Sequence, residues 1–109
     1  MTKIVIRKDQ NGAYRQVICS GHAGYANAGK DIVCASVSVL VINTINALEE
    51  LAGEFFEVTT SEDDGYICCD FQNPLQDRSV FLLDAMVYGL ENIQKEYGKK
   101  YLQVKFEEV

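Results

Sequence analysis

One proline (Pro74), one histidine (His22) and no tryptophan stand among 109 residues. The lone proline, with no low-complexity stretch and no internal repeat, leaves no interdomain linker, so residues 1–109 read as a single domain. A long hydrophobic run is lacking too. The most apolar stretch, Val37–Ile42, falls far short of the ~20 residues that span a bilayer. The start, M-T-K-I-V-I-R-K, is too short and too charged for a signal peptide. These features predict a cytoplasmic protein with no membrane association. Basic charge is also scarce: ten Lys and Arg against sixteen Asp and Glu give a net charge of −6, and the basic residues are scattered. Direct nucleic-acid contact, which needs a basic patch, is not expected. There is no C-x-x-C pair, and one histidine among dispersed cysteines lacks zinc-ligand spacing, so neither metal nor cofactor is expected. In a reducing compartment Cys19, Cys34, Cys68 and Cys69 are then free thiols.

The residues present arrange themselves into seven segments. Thr2–Lys8 alternates Ile4 and Ile6 with polar neighbours, Asn11-Gly12 is a hairpin turn, and Tyr14–Ser20 is a second strand. Gly21–Lys30 has no period and three glycines, which predicts a mobile loop. Asp31 to Gly53 is rich in Val and Ile, yet over twenty residues without a turn signal predict a helix, with Asp31 as N-cap and Gly53 beyond its end. Val37, Leu40, Val41, Thr44, Leu48 and Leu51 recur at helical spacing. Val33, Val39, Ile42 and Ile45 widen the apolar surface and predict burial on more than one side. Phe55–Thr60 and Tyr66–Phe71 read as a hairpin around the acidic turn Ser61–Gly65. Ser79–Tyr97 is an amphipathic helix and Tyr101–Glu107 a last strand with Leu102, Val104 and Phe106 facing inward. The expected fold is α+β: a largely antiparallel five-stranded sheet with two helices on one face, in the order β-β-α-β-β-α-β. The free sheet face or the spare apolar surface of the first helix is a candidate dimer interface.

Chemistry concentrates where the glycine loop meets the first helix. Cys34 falls in its first turn, where unpaired N–H groups and the helix dipole favour an anion, hence a thiolate. The same N–H groups are candidates to receive an oxyanion when that thiolate attacks a carbonyl. His22, twelve residues earlier, can stabilise the thiolate and protonate a leaving amine. The bland alternatives are a buried small hydrophobe and a solvated loop histidine. Asp31 has two possible roles, capping the helix or orienting His22. Cys19, Cys68 and Cys69 read as structural. Cys69 shares a strand face with Ile67 and Phe71, and Cys68 faces the other way. Tyr25 is a weak candidate substrate contact, and Glu62, Asp63 and Asp64 read as a solvated turn.

The segment G-H-A-G-Y-A-N-A-G-K-D-I-V-C-A-S-V-S, Gly21 to Ser38, resembles the signature of the ribosomal-processing cysteine protease family. That family carries Gly-His-Ala or Gly-His-Ser at the end of the second strand, then a glycine-containing loop. Gly-x-Asp-(Ile/Val)-Val-Cys-Ala follows at the helix start, with a serine four residues after the cysteine. The resemblance implies a protease that removes an N-terminal extension from large-subunit ribosomal protein number twenty-seven. It also implies a homodimer without cofactor. It makes Cys34 the nucleophile, His22 the base, Gly21 a hinge, and Asp31 and Ser38 supporting residues. Ser36, where small alanine or glycine is usual, is a mild departure. A non-catalytic peptide-binding ribosome-assembly factor is the competing reading.

Overall fold

The computed structural model describes residues 1–27 and 29–109. Ala28, inside the glycine loop, lies outside them. The elements are β1 (Thr2–Lys8), β2 (Tyr14–Ser20), α1 (Ile32–Glu50), β3 (Glu57–Ser61), β4 (Tyr66–Asp70), α2 (Asp77–Tyr97) and β5 (Leu102–Glu108). The sheet runs β3-β4-β2-β1-β5. All pairs are antiparallel except β1 with β5, so the expected fold class and element order are those observed.

Period-two alternation sorts the strands into two faces. Ile4 pairs with Cys19 and Cys19 with Ile67, while Ile6 pairs with Val17 and Val17 with Cys69. These two rows form the inner face, under both helices. A register shift between Arg7 and Lys8 brings Tyr14 opposite Lys8 and keeps it buried, where its hydroxyl donates to Asp84 of α2. On the outer face Arg7 bonds Glu107 and Gln16, and Gln16 bonds Asp70. That polar ladder crosses four strands and makes the outer face a poor apolar interface.

The first helix differs from expectation. Val33, Val37, Val41, Thr44 and Leu48 are buried, but Val39, Ile42 and Leu51 are 69%, 48% and 77% exposed. Burial on more than one side is therefore corrected: α1 lies on the sheet by one stripe and touches α2 by its flank. There Gly89 lets Leu40 approach so closely that a Cβ at Gly89 would meet Leu40 Cδ2 at 2.7 Å. By length and composition α1 is apolar enough to cross a membrane. In this fold it is the sheet helix, its buried stripe set over Ile4, Ile6, Val17 and Cys19 in one core.

Two boundaries also move. The second helix starts at Asp77 rather than Ser79, because Glu54 Oε1 accepts from the Gln76 N–H and the Ser79 hydroxyl (3.0 and 2.7 Å). The helix start is thus anchored from a segment 22 residues upstream. The same bonds hold the chain before β3, so Phe55 stays outside the strand and 90% exposed. Phe56 packs on Phe71 instead. In β5, Leu102 is fully buried, and Phe106 is in register with inward-facing Ile6 as expected, yet it stays 55% exposed on an open groove that it shares with Asp84, Val87 and Tyr88 of α2.

Candidate active site

The chain leaves β2 at Gly21, whose φ of +84° and crowding against Met1 both demand glycine. A Cβ there would lie 2.5 Å from the Met1 carbonyl oxygen. The Gly21 N–H donates to the Asp64 carbonyl (3.2 Å). The position expected to be a hinge is thus tied in this arrangement both to the residue before the first strand and to the β3–β4 turn. Ser38, one helical turn beyond Cys34, is exposed on the wall of the same cavity.

His22 and Cys34 face one cavity of about 390 Å³ between α1 and the β3–β4 hairpin. Its floor is Cys19 and Ile67; Val37, Val41 and Val58 are among its walls. No hydrogen bond joins His22 to Cys34 among the described residues. The Cys34 sulfur instead accepts from the Ala23 N–H at 3.0 Å. Ala23 is 3% exposed, so this donor is shielded from water and its bond to sulfur is strengthened.

Asp31 does what its position at the helix start predicts, and more. Its Oδ1 accepts from the N–H groups of Val33 (3.1 Å) and Cys34 (2.9 Å), while Oδ2 accepts from Tyr25 at 3.0 Å. One carboxylate caps the helix and ties the loop to it. Partial burial works to raise its pKa, but the bonds from Cys34 and Tyr25 outweigh it and hold the group below the usual carboxylate value. No bond runs from Asp31 to His22 in this arrangement. Of the first-turn N–H groups expected to receive an oxyanion, those of Val33 and Cys34 are already bonded to Asp31. Ala35 donates to the Asp31 carbonyl.

Tyr25 is not aimed at the cavity. Its ring meets Tyr97 and Tyr101 edge-on, with centroids at 5.6 and 5.0 Å, pinning the loop to the end of α2. The acidic turn is more than a solvated tip: Glu62 lines the cavity, and the His22 ring lies against Gly65. Ala23, Gly65, Tyr97 and Tyr101 were not singled out from sequence. Only Ala23 had a local signal, as the third residue of Gly-His-Ala.

The remaining thiols are structural in setting. Burial, then the neighbouring Cys34, pushes Cys19 up to about 11, and burial pushes Cys69 up to about 12. Cys68, on the outer face, lies against Asp70 and Gln16. No group of His, Cys, Asp and Glu among the described residues is arranged to hold a metal ion.

Residues 1–103 match the family model described as cysteine protease Prp. The ribosomal processing cysteine protease Prp of Bacillus subtilis (strain 168) is 31% identical over 101 residues, covering 89% of this chain and 90% of that protein. The protein of the same name from Staphylococcus aureus (strain Mu50) is 27% identical, covering 91% and 93%. The fold superposes on the S. aureus ribosomal processing protease Prp holding a covalently linked product peptide. There the TM-score is 0.93 at 25% identity, over 98% of this chain and 100% of that one. SMU.848 from Streptococcus mutans gives a TM-score of 0.86 at 29% identity, over 100% and 96%.

Proposed function

The chain belongs to the Prp family of cysteine proteases, and on that premise we propose that it removes the N-terminal extension of large-subunit ribosomal protein number twenty-seven, with Cys34 as nucleophile and His22 as base. The observation that carries this reading is Cys34 in the first turn of α1, accepting the Ala23 N–H in the cavity that the only histidine also lines. A shielded backbone donor aimed at the sulfur can hold the charge that forms there when His22 takes the thiol proton.

The thiolate attacks the scissile carbonyl and its electron pair moves onto oxygen. Collapse of that intermediate expels the amine, which takes its proton from the His22 imidazolium, and leaves a thioester on Cys34. His22 then takes a proton from water, whose oxygen attacks the thioester and frees the Cys34 sulfur. The apolar walls Val37, Val41 and Val58 suit apolar substrate side chains. The free edge of β3 can pair with an extended peptide. Peptide binding would also bring His22 and Cys34 into bonding distance.

A cytoplasmic homodimer is part of the same reading. The exposed apolar stripe of α1, Ile32, Val39 and Ile42, is the stronger candidate interface, given the polar ladder on the outer sheet face. Light scattering of Val39→Glu should report a monomer. The central test incubates the purified protein with the precursor ribosomal protein and follows release of the extension. Cys34→Ala and His22→Ala should abolish release; wild-type rates from either would rule out the mechanism.

A further inference from the structure

At Gly65 the β3–β4 turn runs with φ +58°, and an ideal Cβ there would lie 3.0 Å from His22 Cε1, 3.2 Å from His22 Nε2 and 2.9 Å from the Gly21 carbonyl oxygen. The bare backbone of one turn is therefore the surface against which the imidazole of another segment rests. The Gly21 N–H to the Asp64 carbonyl ties the two segments beside that contact. We infer that Gly65 is a positioning residue for His22: by lacking a side chain it sets where the imidazole sits in the cavity that also holds Cys34. This rests on His22 being the base, and the experiment separates the two ideas.

The effect can be sized. Carbon atoms in ordinary contact stand about 3.5–4.0 Å apart, so a methyl on Gly65 forces the ring back by roughly 0.5 Å or more. Misplacement of a catalytic group by about 1 Å costs on the order of 10²-fold in rate. A matched control for backbone strain exists at Gly53, where φ is +65° and a Cβ would meet nothing within 4 Å. Both alanine variants carry a similar penalty for positive φ, but only the one at Gly65 meets His22 and the Gly21 carbonyl oxygen beside it.

Because His22 is the only histidine, its Cε1–H and Cδ2–H resonances are unambiguous in a proton–carbon correlation spectrum. Gly65→Ala should shift both resonances and lower kcat for precursor cleavage by about 10²-fold, with KM within about twofold. Gly53→Ala should leave the resonances and kcat as in the wild type. Gly65→Asn, whose side chain tolerates positive φ, should behave like Gly65→Ala even if the alanine variant folds poorly. Unshifted His22 resonances in the Gly65 variants, or equal losses of kcat at positions 53 and 65, would overturn the inference. Shifted resonances with unchanged kcat would support the positioning contact and count instead against His22 as the base.

Discussion

Replacing Asp31 by asparagine separates its two possible roles, because the amide keeps one acceptor and loses the charge. In the structure Oδ1 serves the N–H groups of Val33 and Cys34 and Oδ2 serves Tyr25. Losing an N-cap side chain altogether costs about 1 kcal/mol. The exposed bond to Tyr25 adds about 0.5 kcal/mol after solvent screening. Asp31→Ala should therefore lose about 1.5 kcal/mol, and Asp31→Asn about 0.5 kcal/mol, in urea unfolding at pH 7. The pH dependence has a definite sign. Since the folded-state pKa of Asp31 is lowered, the stabilisation by its charge is complete above the unfolded carboxylate value of about 4 and is lost as pH falls through the folded value. The gap between wild type and Asp31→Asn should close below pH 4. Cleavage by Asp31→Asn should stay within about tenfold of wild type, whereas a residue that orients a catalytic histidine can cost ~10⁴. An Asp31→Asn variant as stable as wild type but slower by 10³ or more would refute the capping assignment.

Three further outcomes are expected. Limited alkylation of the native protein at pH 7, read by peptide mass mapping, should modify Cys34 first; Cys19 and Cys69, with thiols pushed up to about 11 and about 12 by burial, should react only on unfolding. Leu48→Ala, at a fully buried position, should destabilise the fold by about 2–5 kcal/mol in denaturant titration. Tyr25→Ala removes two edge-on aromatic contacts, each worth about 0.5–1.5 kcal/mol. It should speed amide exchange at residues 22–27 by tenfold or more and lower Tm by at least about 4 °C.

The elements were legible in sequence because their signals are local. Alternation marks Thr2–Lys8, a glycine turn marks the first hairpin, and Asp31 marks the start of α1. The first turn of α2 was not, since Glu54 holds it through the Gln76 N–H and the Ser79 hydroxyl, and no window around Ser79 contains that partner. The exposure of Val39 and Ile42 was misread for a related reason: hydropathy shows which residues are apolar, not which apolar surface the chain itself covers. The catalytic candidates lie inside one continuous motif, so they could be singled out. Gly65 and Tyr97 meet that motif only in three dimensions, and neither has a neighbour in sequence that betrays the contact.

The loop that carries His22 is described by its ties as much as by its freedom. Gly21 is bound to Asp64 at one end, Tyr25 is lodged against Tyr97 and Tyr101 in the middle, and Asp31 holds the far end. These ties differ in how they can yield. The Asp31 cap is part of α1 and cannot open without fraying the helix that bears Cys34. Gly21 is wedged against the Met1 carbonyl, where even a methyl would not fit. The Tyr25 contact alone is between side chains, at a residue 40% exposed, and it can break without unfolding an element. Movement of the loop toward a bound peptide should therefore begin at Tyr25, pivoting His22 between two fixed ends while the Cys34 sulfur stays where the helix puts it.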